Sequence, residues 1–120
     1  MKKTFLALLA VFAFALGARA DGFMATFEEI PLMDGMIEDE PFSFDTEEAR
    51  IIEQYVSSST VSREDFAKFY TQTLKSLGWN LEKKDPEFLT FRREDESLSL
   101  IFESESPLVV LFSLRPSEKQ

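Results

Sequence analysis

Residues 61–79, VSREDFAKFYTQTLKSLGW, decide the fold. Ser62 is placed to cap a helix whose third position is Asp65, and Val61, just before the cap, can pack on Phe66 as a hydrophobic staple. Phe66, Phe69, Tyr70, Thr73, Leu74 and Leu77 then recur at helical spacing, while Arg63, Glu64, Lys68, Gln72 and Lys75 take the opposite face. Gly78 stands where a left-handed C-cap is wanted. The spacing predicts one amphipathic helix over 63–77, and a one-sided apolar stripe must be covered by a second layer.

Downstream the chain breaks into short β-prone runs separated by turn residues. Trp79 and Leu81 alternate with Asn80 and Glu82. Asp85-Pro86 turns, and Leu89 and Phe91 alternate with Thr90 and Arg92, with Phe88 on the second face. Glu94-Asp95-Glu96 turns again, and Leu98, Leu100 and Phe102 alternate with Ser97, Ser99 and Glu103. The run 108–114 is apolar on both faces: Leu108, Val110, Phe112 and Leu114 point one way, Val109 and Leu111 the other. A sheet with one wet face does not need that second row. An N-terminal arm, a curl of the sheet or another subunit is expected to cover it, ranked in that order.

Upstream, Phe42 and Phe44 alternate with Ser43 and Asp45 as a half-buried strand, and Asp45-Thr46-Glu47-Glu48 supplies turn chemistry. Ile51, Ile52, Tyr55 and Val56 suit either a second strand or a short helix capped by Asp45 with Glu48 at its third position. The hairpin is favoured, because Ile, Tyr, Val and the run Ser57-Ser58-Ser59-Thr60 are poor helix material. The fold class expected is therefore α+β: an antiparallel meander of about five to six strands packed by one helix.

Residues 21–40 show no sustained period, contain Pro31 and Gly35, and end in Glu38-Asp39-Glu40. They read as an irregular arm preceding a single domain over 41–116, with a polar tail at 117–120. The arm carries too many apolar side chains to stay in water. Either it lies across its own domain, or its Met-rich middle is a docking surface, since methionine adapts to irregular apolar surfaces.

The first twenty residues, MKKTFLALLAVFAFALGARA, read as an export signal: Lys2 and Lys3, an apolar run from Phe5 to Leu16, and Ala18-Arg19-Ala20 as the small-x-small cleavage site. The run of about 12 residues is shorter than the roughly 20 needed to span a bilayer. The mature chain is expected to begin at Asp21, in the periplasm, with no stable membrane insertion after cleavage.

Lys2, Lys3 and Arg19 are three of the 13 basic residues, so the remaining 100 positions carry 10 basic against 22 acidic side chains, a balance of −12. Such a charge opposes nucleic acid and anionic lipid and favours a basic protein, peptide or cation. Cysteine and histidine are both absent. Disulfides and an acylated N-terminal cysteine are excluded, and so are Ser-His-Asp and Cys-His catalysis and zinc sites built on imidazole or thiolate.

What remains is weak. The carboxylate groups Glu38-Asp39-Glu40, Asp45/Glu47/Glu48, Glu94-Asp95-Glu96 and Glu103/Glu105 sit in turns, where carboxylates are usually solvated, and none has the alternating spacing of a calcium loop. Ser57 to Thr60 beside Lys68 or Lys75 makes no Ser-x-x-Lys motif and reads as a loop into the helix cap. Trp79 reads as a core plug at the helix-to-strand corner, and Arg92 and Arg93 as exposed partners of Glu94 and Glu96 worth little energy.

Pro31-Leu32-Met33-x-Gly35-Met36, Phe44-Asp45-Thr46, Arg50-Ile51, Phe69-Tyr70, Leu74-x-x-Leu77-Gly78-Trp79, Phe91-x-Arg93-Glu94 and Phe112-Ser113-Leu114 together resemble a family of small, uncharacterised exported proteins of alphaproteobacteria. Ala49 departs from it, standing where such families carry glycine. The resemblance implies export and an α+β domain, and no activity, ligand or cofactor.

The function expected is that of a non-enzymatic periplasmic accessory or adaptor domain without a cofactor or metal, binding another envelope protein through Leu32, Met33, Met36, Ile37, Val109 and Leu111. The alternative is a binder of a small apolar ligand held between helix and sheet by Phe69, Leu74, Phe91 and Phe102.

Overall fold

Side-chain capping starts the helix where the sequence places it. In the computed structural model, α1 spans Arg63–Ser76; the Ser62 hydroxyl accepts the N–H of Asp65 at 3.0 Å and the Ser62 carbonyl accepts that of Phe66 at 3.0 Å. Its end is a Schellman motif. Gly78 takes a positive φ of 98°, its N–H bonds to the Lys75 carbonyl at 3.1 Å, and the N–H of Trp79 reaches back to Leu74 at 2.9 Å. The residues described are 20–39, 42–44 and 51–117. The expected signal peptide up to Arg19, residues 40 and 41, the stretch 45–50 with the turn expected at Asp45-Thr46-Glu47-Glu48, and the last three residues of the tail lie outside them.

The strands are β1 (Ala20–Phe23), β2 (Pro31–Met33), β3 (Ile37–Glu38), β4 (Phe42–Phe44), β5 (Ile51–Ser58), β6 (Asn80–Asp85), β7 (Phe88–Arg93), β8 (Glu96–Glu105) and β9 (Leu108–Pro116). Strands β1 and β2 form a two-stranded sheet. The others form a seven-stranded sheet in the order β3-β5-β9-β8-β7-β6, with β4 also paired to β5. Every pairing is antiparallel. The chain is thus α+β, with one helix among the described residues.

β4 pairs with β5, so 51–58 is strand, not helix. The β-branched and aromatic residues of 51–58 favour the strand. The sheet is not one continuous meander, however. β6 to β9 follow each other side by side, but β9 then pairs with β5, whose sequence neighbour β4 pairs with it in turn. Four antiparallel steps make β5 and β6 point the same way, so α1 is the crossover that carries the chain from one side of the sheet to the other, the arrangement of a split β-α-β unit. At the start of that crossover, the Ser58 hydroxyl accepts the N–H groups of Thr60 and Val61 at 3.0 and 2.9 Å. The serine run is turn chemistry leading into the cap.

The core lies between sheet and helix. Phe66, Tyr70 and Leu74 of α1 pack over Val56, Leu89, Phe91, Leu98, Leu100, Val110 and Phe112, all fully or almost fully buried. Phe112 sits at the centre, with ring centroids 5.2 Å from Tyr70 and 6.1 Å from Phe66. Each such side chain contributes roughly 1.5–3 kcal/mol on burial, enough to explain how a domain without disulfides stands.

The arm lies across its own domain, the first of the two readings given for it, and is in part regular rather than irregular. Besides β1, β2 and β3, it sends Met24, Phe27, Ile30, Met33 and Met36 into the same core. These side chains extend the helix layer over the part of the sheet that α1 leaves open, so the arm covers the helix side and not the second row of β9. Polar groups fix it there. The Tyr70 hydroxyl donates to the Pro31 carbonyl at 2.7 Å and accepts the Met33 N–H at 2.9 Å. The Glu38 carboxylate accepts the Ala25 N–H at 2.9 and 3.0 Å. Fully buried Gln54 accepts from the Thr26 hydroxyl and donates to the carbonyls of Asp39 and Tyr55, both at 2.9 Å. Sequence periodicity could not show this, because the arm's apolar residues follow turns rather than a helix or strand repeat.

Candidate interaction surface

The register of the sheet assembles a second apolar surface on the face away from the helix. Tyr55 on β5 pairs with Leu111 on β9, Leu111 with Ile101 on β8, and Ile101 with Phe88 on β7. Paired residues point to the same face, so these four make one continuous row across four strands. Val109 lies two positions along from Leu111, paired with Ser57. None of these five residues belongs to the core cluster. Leu111, hemmed in by Tyr55 and Ile101, is 8% exposed, and the other four are half-buried.

The neighbouring row is hydroxylic: Glu53, Ser113, Ser99, Thr90 and Lys83 follow one another across the same strands. Ser113 donates to Glu53 at 3.3 Å and accepts from Arg115 at 3.1 Å, while Thr90 and Ser99 share a 3.4 Å contact. Adding the row of Arg115 and Arg92 beyond it and Asp85 opposite Phe88, this face holds Lys83, Arg92 and Arg115 against Glu53 and Asp85, with Glu82 paired to Arg92 and Asp39 bonded to Ser57 at its margins. At the free edge, β6 is exposed along its whole length and carries Lys83 and Lys84, with a register shift between Leu81 and Lys83; charged, bulged edges discourage strand addition.

The six expected surface residues divide three and three. Met33 and Met36 are inside the domain, 6% and 3% exposed, and Leu32 packs on the core. They are held by their own fold, for the same reason that the arm is ordered. Ile37, 65% exposed on the edge strand, pairs with Ser57, which pairs with Val109, so Ile37, Val109 and Leu111 share the outer face. Phe88, expected on the second face, joins it, and Tyr55 and Ile101, which were missed, complete it. Their signal was present as the off-phase residues of each alternating strand, but only the register between strands aligns them.

The four residues expected to enclose an apolar ligand do not form a cavity together. Leu74 and Phe91 are fully buried in the core and Phe69 packs against it. Phe102 lines an open groove of about 530 Å³ at the start of α1, floored by Ala67, Leu89 and Phe102 and bordered by charged residues of the helix and two hairpin turns.

Trp79 is 1% exposed, as a core plug should be, but one ring face carries the guanidinium of Arg93 at 4.3 Å. Arg93 also donates to the Leu77 carbonyl at 3.2 Å and to Glu29 of the arm at 2.6 Å, and lies 3.7 Å from Glu96. The hydrogen bond to Glu29 is the main cause of its raised pKa. Arg92 pairs instead with Glu82 at 3.6 Å. The expected pairs with Glu94 and Glu96 are thus replaced, apart from the longer Arg93–Glu96 contact, because a stacked guanidinium finds its best carboxylate in the arm.

Among the described residues no three acidic side chains are grouped to hold a metal ion, and no helix is long and apolar enough to cross a membrane. Comparison with known proteins finds no matching family model, no matching curated protein and no matching solved structure.

Proposed function

We propose that the chain is an exported, non-enzymatic accessory domain that engages another envelope protein through the outer face of its sheet. The observation that carries this reading is the row Tyr55, Leu111, Ile101 and Phe88, continuous over four strands on the face opposite the helix. Apolar side chains aligned on a sheet face and rimmed by hydroxyls and mixed charges suit a protein surface better than a small ligand or a reaction. The absence of histidine and cysteine from the sequence supports the same reading by removing the commonest nucleophile and base chemistries.

Two experiments test it. N-terminal sequencing of protein from the periplasm is expected to start at Asp21; recovery of an uncleaved chain in the cytoplasm contradicts export. Co-purification from envelope extracts after crosslinking in cells is expected to yield a discrete partner that Ile101→Lys removes. A partner retained in full by that variant contradicts the assignment of the face.

A further inference from the structure

Acidic side chains surround the groove at the start of α1. Its floor is Ala67, Leu89 and Phe102, and a contiguous depression of about 160 Å³ continues it over Phe102 toward Glu103 and Ser104. Glu64 borders the groove from the helix, Asp85 and Glu87 from the β6–β7 turn, and Glu103 and Glu105 from the end of β8. Among the described residues none of these five carboxylates takes part in an ion pair. Two cations share the border: Lys84, and Arg63, whose guanidinium lies over the Phe102 ring at 4.7 Å. The border is therefore negative by three charges over an apolar floor, and one aromatic of that floor already accommodates a guanidinium.

We propose that this groove binds a short segment of a partner protein in which basic and apolar side chains alternate. The apolar side chains of such a segment fill the floor. Its arginines lie over Phe102 as Arg63 does, within reach of the unpaired carboxylates. The volume is within the range of natural ligand sites, and the groove is open along the surface, which suits a chain segment. Arg63 is then an internal stand-in that an incoming arginine displaces. This site is separate from the outer face and does not rest on its assignment.

The test is fluorescence anisotropy of the purified chain with a labelled peptide alternating Arg and Leu. Binding is expected, with clear weakening when Glu replaces Arg or Ser replaces Leu in the peptide. The double variant E87Q/E105Q, altered at exposed positions, is expected to bind about tenfold more weakly, and Arg63→Ala to bind more tightly because it frees the ring and deepens the negative border. Ile101→Lys on the outer face is expected to leave the peptide affinity unchanged. The proposal is overturned by no binding, by equal affinity for the Glu-containing peptide, by an unaltered E87Q/E105Q, by weaker binding to Arg63→Ala, or by loss of binding in Ile101→Lys. Loss of envelope partner capture by Ile101→Lys with peptide binding intact separates the two surfaces.

Discussion

The hydroxyl of Tyr70, on the helix, donates to the backbone carbonyl of Pro31, 39 residues earlier in the chain, at 2.7 Å. With the bond it accepts from the Met33 N–H, it ties the arm to α1 in a buried setting. Tyr70→Phe keeps the ring and leaves a backbone donor and acceptor of the arm without that partner. The expected cost is about 1–3 kcal/mol, read by urea denaturation, together with faster hydrogen exchange at the Met33 amide. An unchanged amide would mean that β2 is held by apolar contact alone.

The same residue gives the chain a pH response. Burial, the largest cause, and the nearby Glu38 charge raise the Tyr70 pKa, while the Met33 hydrogen bond lowers it; the net shift is upward. A folded-state pKa above the unfolded one means that unfolding releases the proton more readily. The stabilisation is complete below the unfolded value of about 10 and is lost as pH rises above it. In that range Tyr70 is expected to contribute a loss of up to about 1.4 kcal/mol per pH unit, and the stability of Tyr70→Phe to fall less steeply. Parallel alkaline profiles would refute the assignment.

Arg93 is expected to matter more than an exposed ion pair does. Arg93→Ala removes the cover from one face of Trp79, a hydrogen bond to the helix end and the link to Glu29. A loss of about 1–2 kcal/mol is expected, with a red shift of Trp79 fluorescence. Glu29 is largely exposed, so Glu29→Gln is expected to cost less than about 1 kcal/mol. Equal costs for the two variants would place the energy in the ion pair rather than in the stacking.

Gly78 ends the helix with φ at +98°, and a Cβ there would meet the Arg93 side chain at 3.4 Å. Gly78→Ala is expected to lower stability by about 1–2 kcal/mol. A neutral result in thermal unfolding would show that the Schellman turn can relax.

The helix and the four strands after it were legible in the sequence because each carries its own local signal: the cap at Ser62, the stripe through Phe66, Tyr70 and Leu74, and the alternation of Leu89 with Phe91 or Leu98 with Leu100. The arm was legible only as apolar surplus. Its order depends on contacts across long sequence distances, such as Thr26 with Gln54 and Pro31 with Tyr70, which no local pattern encodes. The outer face was half legible. The double-sided run around Val109 and Leu111 and the second-face position of Phe88 announced it, but Tyr55 and Ile101 join it through strand register alone.

The most direct measurement of the outer face as an interface is photo-crosslinking in intact cells from a reactive side chain at position 109, with position 72 on the exposed side of α1 as the reference. The account predicts a discrete heterologous adduct from position 109 that Ile101→Lys abolishes and that position 72 does not form. No adduct from position 109, or the same adduct from both positions, would contradict it.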